Sequence, residues 1–199
     1  MEQISPDSVA QAPPSPFSIP IFRNVWLANL ASNFGSLVQS VGAAWLMTTL
    51  SNSPTDVALV QASTALPIML FSLWAGALAD NLDRRIMMLC TQSFMLIVSV
   101  GLTLFAFSWA LTPALLLTFT FLIGCGTAFN SPAWQASVGD MVPRPVLPSA
   151  VALNSMGFNI ARSVGPGIGG IIIATVGAAA AFMVNAVSYL GLIFVLAKW

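Results

Sequence analysis

Apolar residues fall into six long runs, broken by short stretches rich in Pro, Ser, Asp and Arg. A helix rising about 1.5 Å per residue needs about 20 apolar residues to cross a hydrocarbon core about 30 Å thick. The runs Val25–Leu50, Val57–Ala79, Ile86–Trp109, Pro113–Ala136, Pro148–Val176 and Ala178–Ala197 meet that length and predict six transmembrane helices. None alternates with the period of two expected of a barrel strand, and lipid tolerates little else besides a helix. The connections sort by charge. Arg23, Arg84, Arg85, Arg144 and Lys198 share one side, whereas the breaks at 51–56, 111–112 and 177 hold no Lys or Arg. Both termini are therefore expected in the cytoplasm. Residues 1–21 read as a flexible cytoplasmic tail, since Met1 to Pro16 is polar, carries Glu2 and Asp7, and lacks the basic start of a signal peptide.

Composition sharpens the picture. Hydrophobic residues make up 57% of the chain and charged residues 6%, against roughly 25% charged in a soluble domain. Lipid must supply the surface that such a chain cannot. Six basic and six acidic residues cancel and form no block, which excludes a nucleic-acid patch. The absence of histidine removes His-based catalysis and His-containing zinc sites, and no metal or cofactor is expected. Cys90 and Cys125 form no C-x-x-C and read as buried small hydrophobes. Trp26, Trp109, Trp134 and Trp199 lie near predicted helix ends, as residues of the headgroup layer would. Asp56, after Ser53-Pro54-Thr55, reads as part of a capped start for the second helix.

The connection after the second run reads Gly76-Ala-Leu-Ala-Asp80-Asn81-Leu-Asp83-Arg84-Arg85. Gly76 permits close helix approach, and Asp80 at a membrane surface can accept from the N-terminal N–H groups of another helix. This stretch resembles the G-x-x-x-D-R-x-G-R-R signature between helices two and three of the major facilitator superfamily. The resemblance implies that Asp80 engages the eleventh helix, in the other half of a carrier, and helps hold the outward-facing state closed on its cytoplasmic side. Gly76 would be its packing residue, and Arg84 and Arg85 its basic partners. Asn81 stands where the signature has its first arginine, and Asp83 where it has its second glycine. An ending in Asp83-Arg84-Arg85 is common in the enterobactin-exporter-like branch.

The fifth run contains Gly157-Phe-Asn159-Ile-Ala-Arg162-Ser-Val-Gly165-Pro166-Gly167-Ile-Gly169-Gly170. Gly165 and Gly169 are spaced to let helix backbones touch, and Pro166 removes a backbone donor and is expected to loosen the helix. Gly165, Pro166, Gly169 and Gly170 resemble the G-P-x-x-G-G motif of exporters that work as antiporters. Arg162 is the one basic residue deep within a run, about 21 Å of rise from the helix start. A cationic residue at mid-helix costs roughly 2.5–3.5 kcal/mol on insertion scales, so it should face a cavity, an anionic group or a carboxylate from elsewhere. Asn29, Asn33, Ser36 and Ser40 recur at helical spacing in the first run, and Asn154 shares a face with Arg162 in the fifth. These residues suit either a substrate pathway or helix-to-helix hydrogen bonding, and the sequence does not separate the two.

The segments around Phe129-Asn130, Asp140 to Arg144 and Phe182 to Tyr189 extend the resemblance to the same branch, from about Phe22 to Trp199. Thr120 stands where drug antiporters carry an arginine in the fourth helix. What the resemblance implies is an all-α membrane protein: six helices, in a 3+3 inverted repeat, forming the N-terminal half of a twelve-helix carrier in the bacterial inner membrane. Such a half would need a C-terminal six-helix half, in the same chain or another, or a second copy. The carrier would export a siderophore-like or drug-like small molecule by proton antiport. Trp199 directly follows the sixth run, as expected of the first half of a longer carrier. A membrane-embedded enzyme is disfavoured by the lack of histidine and of paired intramembrane carboxylates. A non-transporting six-helix remnant or assembly partner would show the same packing motifs.

Overall fold

The computed structural model describes residues 14–199, and among these no strand occurs. A short 3-10 turn, Pro16–Ser18, leads into α1 (Pro20–Leu50). There follow α2 (Pro54–Asn81), α3 (Arg84–Phe107), α4 (Pro113–Met141), a second 3-10 turn (Arg144–Val146), α5 (Leu147–Val176) and α6 (Ala178–Lys198). By length and hydropathy α2 to α6 can each span a membrane. The 31-residue α1 is long enough but more polar, and its Asn29, Ser32 and Gln39 are buried inside the bundle.

The helices outrun the predicted spans because apolar character ends before the backbone does. α1 begins at Pro20 rather than Val25, and α2 and α4 run past Ala79 and Ala136 to Asn81 and Met141. Pro20, Pro54 and Pro113 open their helices at a position where the missing N–H has no partner to lose. α3 has the predicted length but lies two residues earlier at each end, beginning at Arg84 and ending at Phe107; Trp109 adopts φ 56, which breaks the helix. Asp83 caps α3 by accepting from the Ile86 N–H at 3.1 Å, and Thr112 caps α4 through the Leu115 N–H at 3.3 Å. Ser53 makes no side-chain cap; instead Ser51 Oγ donates to Asp56 Oδ2 at 2.5 Å and ties the α1–α2 turn. Gly177, at φ 96, reverses the chain between α5 and α6 in one residue.

Part of the expected tail is structured: Phe17, Ile19 and Ile21 pack on the core, because Phe17 lies edge-on to Trp26 at 5.1 Å. Residues 1–13 of that expected tail lie outside the described residues.

In the bundle, α2 packs mainly on α4, α1 on α5 and α6, and α3 on α4 and α6. Exchanging α1 with α4, α2 with α5 and α3 with α6 leaves this set of pairs unchanged. The exchanged helices run in opposite directions, so the two triplets form an inverted repeat. Apolar clusters close both ends. Phe22, Met88, Val146 and Leu196 lie at the end carrying Arg84, hereafter the basic end, and Met47, Leu102, Leu116 and Phe182 at the distal end.

Three expectations change. Trp26 and Trp134 are 8% and 6% exposed, core residues rather than headgroup anchors, because their indole N–H groups bond to Leu153 O and Asn154 Oδ1 across to α5. Cys90 is exposed and Cys125 partly so, since both border a shallow groove on the outer face of α3 and α4. α5 runs unbroken through Pro166 because its inner face is held against α1. That face is a stripe of Gly157, Ala161, Gly165 and Gly169, and a Cβ at Gly165 or Gly169 would stand 3.0 Å from Leu37 Cβ or 3.2 Å from Val38 Cα.

Candidate functional site

Between the two apolar clusters lies a cavity of about 660 Å³, within the range of sites for small organic ligands. Asn29, Ser32, Asn33 and Ser36 of α1 form one wall, and Thr127, Asn130, Ser131, Trp134 and Gln135 of α4 the facing one. Gln92 and Met95 of α3 and Tyr189 of α6 form the floor, and Asn154, Ser155, Phe158 and Asn159 of α5 one rim. At 1.5 Å per residue, Gln92 and Tyr189 lie about 12–14 Å from the basic-end termini of their helices, near mid-depth of a bilayer core. The lining is amide, hydroxyl and aromatic with Met95, Val138 and Val151 between, and it holds no Asp, Glu, Lys or Arg.

Of the pathway candidates, Asn29, Asn33, Ser36 and Asn154 line this cavity. Ser40 does not, lying one turn farther along α1 towards the distal end. Arg162 is also outside the lining. It is exposed on the stripe of α5 that carries Phe158 and Asn159, one turn beyond them, and forms no ion pair among the described residues. Gln92, Asn130, Gln135, Asn159 and Tyr189 line the cavity without having been singled out for it. Asn130 and Tyr189 stand out in the sequence only as marks of the branch, and Gln92 as a lone amide in an apolar run.

Behind the floor, buried polar groups tie α1, α3 and α6 together. Asn185 Nδ2 donates to Gln39 Oε1 at 2.5 Å and to Tyr189 Oη at 3.1 Å, and Ser99 Oγ donates to Gln39 Oε1 at 3.2 Å. Of the pathway candidates, Ser36 both lines the cavity and reaches this cluster, donating to Asn185 Oδ1 at 3.5 Å, while Gln39 and Asn185 themselves serve helix packing.

At the basic end, Asp80, Asp83, Arg84, Arg85, Asp140 and Trp199 border an open depression. Arg84 and Arg85 do not partner Asp80 here. Arg84 pairs with Asp140 at 2.8 Å, and Arg85 donates to Leu196 O at 2.9 Å and Ala197 O at 2.8 Å, binding the last turn of α6. Each arginine begins α3 facing the end of a different helix, which draws both away from Asp80. Asp80 is exposed and unbonded among the described residues. Asn81 donates back to Ala77 O at 2.7 Å and takes no part in a charge network. A Cβ at Gly76 would meet nothing within 4 Å, so no helix of this bundle approaches it closely. The same holds for Gly170, whereas Gly165 and Gly169 sit against α1.

α2 and α5 are the least embedded of the spans. In their most apolar stretches 11% and 22% of residues are buried, against 39%, 33% and 44% in α3, α4 and α6. Leu73 and Trp74 on α2 are 83% and 71% exposed.

The sequence model of the family described as transmembrane secretion effector matches residues 11–199. The chain is 30% identical over 156 residues to a Staphyloferrin A transporter of Staphylococcus aureus, covering 78% of this chain and 39% of that protein. It is 28% identical over 159 residues to the multidrug efflux pump Tap of Mycolicibacterium fortuitum, covering 77% of the chain and 39% of the pump. To the major-facilitator-type transporter YkuC of Bacillus subtilis it is 29% identical over 173 residues, covering 85% and 39%. The chain therefore spans about two fifths of the length of these relatives, which are transporters and not enzymes. On the match across nearly its whole length, and on a six-helix bundle with an inverted repeat, this multi-pass membrane chain belongs to the transmembrane secretion effector family of major facilitator transporters.

Proposed function

We propose that the chain is the N-terminal half of a secondary active exporter of small molecules, with its cavity as one wall of the substrate pathway. The observation that carries this reading is the uncharged cavity near mid-depth, its apolar wall set with amide and hydroxyl groups and rimmed on one side by the poorly embedded α5. A second six-helix bundle, from the same polypeptide, another chain or a second copy, covers the faces of α2 and α5 and closes the far side. α2 and α5 exchange under the inverted repeat, so a partner with the same architecture meets them as an equivalent pair.

In this reading the basic end faces the cytoplasm of the inner membrane, following the lysine and arginine bias. Asp80, unbonded among the described residues, and Gly76, with open space where a Cβ would stand, meet the partner there and help close the cytoplasmic side. Arg162 draws an anionic substrate group or a carboxylate of the partner half. The cavity lining contains no carboxylate, so proton coupling draws its acid from the partner. The relatives named for staphyloferrin A and for multidrug efflux support a siderophore-like or drug-like cargo.

Inverted membrane vesicles test this, made from cells expressing either this chain alone or the reading frame extended past codon 199. Uptake of a fluorescent amphipathic dye is expected only with a second bundle present, and only with an imposed proton gradient. No uptake above empty vesicles in either preparation, across a panel of dyes and siderophores, would favour a non-transporting assembly partner.

A further inference from the structure

Gln92 lies on α3 at the cavity floor and is 2% exposed. Its Nε2 donates to Asn130 Oδ1 at 3.2 Å, while its Oε1 is the one buried side-chain nitrogen or oxygen without a hydrogen-bond partner among the described residues. Asn130 also lines the cavity, and its Nδ2 forms no hydrogen bond among the described residues. A single N–H···O bond between two primary amides leaves a carbonyl on one and an amino group on the other. Thr91 Oγ also donates to Asn130 Oδ1, at 3.3 Å, so the Asn130 oxygen serves two partners and the acceptor left open is the Gln92 carbonyl.

A buried carbonyl without a donor is unfavourable in apolar surroundings, and this one sits beside an open cavity. No Asp, Glu, Lys or Arg lines that cavity, so an ionic group would meet no counter-charge in it. A neutral group carrying an N–H or O–H would satisfy the orphan acceptor, while an alcohol's own oxygen, or a separate acceptor of the molecule, would take the free amino group.

We propose that Gln92 and Asn130 form a recognition pair for an uncharged donor-bearing group of the transported molecule, a secondary amide or an alcohol, and that Gln92 sets the preference for the donor. This rests on the reading of the cavity as the substrate pathway.

The test uses the chain assembled with a second six-helix bundle in lipid nanodiscs and two probes, an N-acyl aminocoumarin with its amide N–H and the N-methylated counterpart, titrated by fluorescence anisotropy. The N–H probe is expected to bind about tenfold more tightly, the discrimination of one buried hydrogen bond. Gln92→Met keeps the bulk of the side chain, and is expected to bring both probes to the affinity of the N-methylated one. If Gln92→Met does not purify as a single species, Gln92→Asn draws the carbonyl back by one methylene and is expected to lose the preference likewise. Two probes that bind equally well to the unaltered chain would overturn the recognition pair and leave the pathway reading intact. A preference that survives both substitutions would do the same. Failure of either probe to bind the unaltered chain above empty nanodiscs would count against the pathway reading itself, and the recognition pair would fall with it.

Discussion

Arg84 Nη1 stands 2.8 Å from both carboxylate oxygens of Asp140, so the first residue of α3 grips the last turn of α4. Alone, each charge would be misplaced, a cation at a helix N-terminus and an anion at a C-terminus. Paired, they offset each other's poor position and fix the angle between two helices of different triplets.

The pair is partly exposed, 32% and 48%, so its contribution is modest. Arg84→Ala and Asp140→Asn are each expected to cost less than about 1 kcal/mol of stability. The double variant should be little worse than either single one, read from thermal unfolding in detergent. Fully additive losses would show that the two side chains act independently.

Two glycines of one motif are expected to behave oppositely. Gly169→Val drives a branched side chain into the α1 backbone at Val38 and should cost roughly 1–3 kcal/mol. Gly170→Ala meets nothing within 4 Å and should be neutral or stabilising by about 0.5–1 kcal/mol. Melting temperatures of the purified variants decide, and equal losses would contradict the packing described.

Asn185 is fully buried and serves Gln39 and Tyr189 together. Asn185→Leu is expected to destabilise the bundle by about 1–2 kcal/mol, towards the upper end for hydrogen bonds between membrane helices. A melting temperature equal to that of the unaltered chain would mean that the contact is energetically idle.

Arg162 tests the pathway from outside the cavity. In a carrier with both halves, Arg162→Ala is expected to lower transport at least about tenfold, and Arg162→Lys to retain more, because charge is kept while the planar fork is lost. Normal transport by Arg162→Ala would remove the arginine from the mechanism.

Helix number was legible from the chain because apolar length and charge alternation are local in sequence, and the family was legible from its charged and glycine motifs, with the inverted repeat following only as what that resemblance implies. The cavity was only half legible. Asn29, Asn33, Ser36 and Asn154 reach it because polar residues in an otherwise apolar helix turn inward, but the same rule admits Ser40 and Gln39, which do not line it. Which turn of α1 faces open space and which faces α6 depends on how two distant segments are set against each other. Arg84 shows the same limit at the basic end: its nearest acid in sequence is Asp83, yet Asp83 caps its own helix and the carboxylate it binds is 56 residues away.

The node formed by Gln39, Ser99, Asn185 and Tyr189 also works as an index mark. Sliding α6 by one turn, about 5.4 Å, would carry Asn185 and Tyr189 away from the groups that satisfy them. Hydrocarbon offers no substitute donors or acceptors. α1, α3 and α6 consequently hold one register with respect to one another, and any sliding of helices is left to α2, α4 and α5, which take no part in the node.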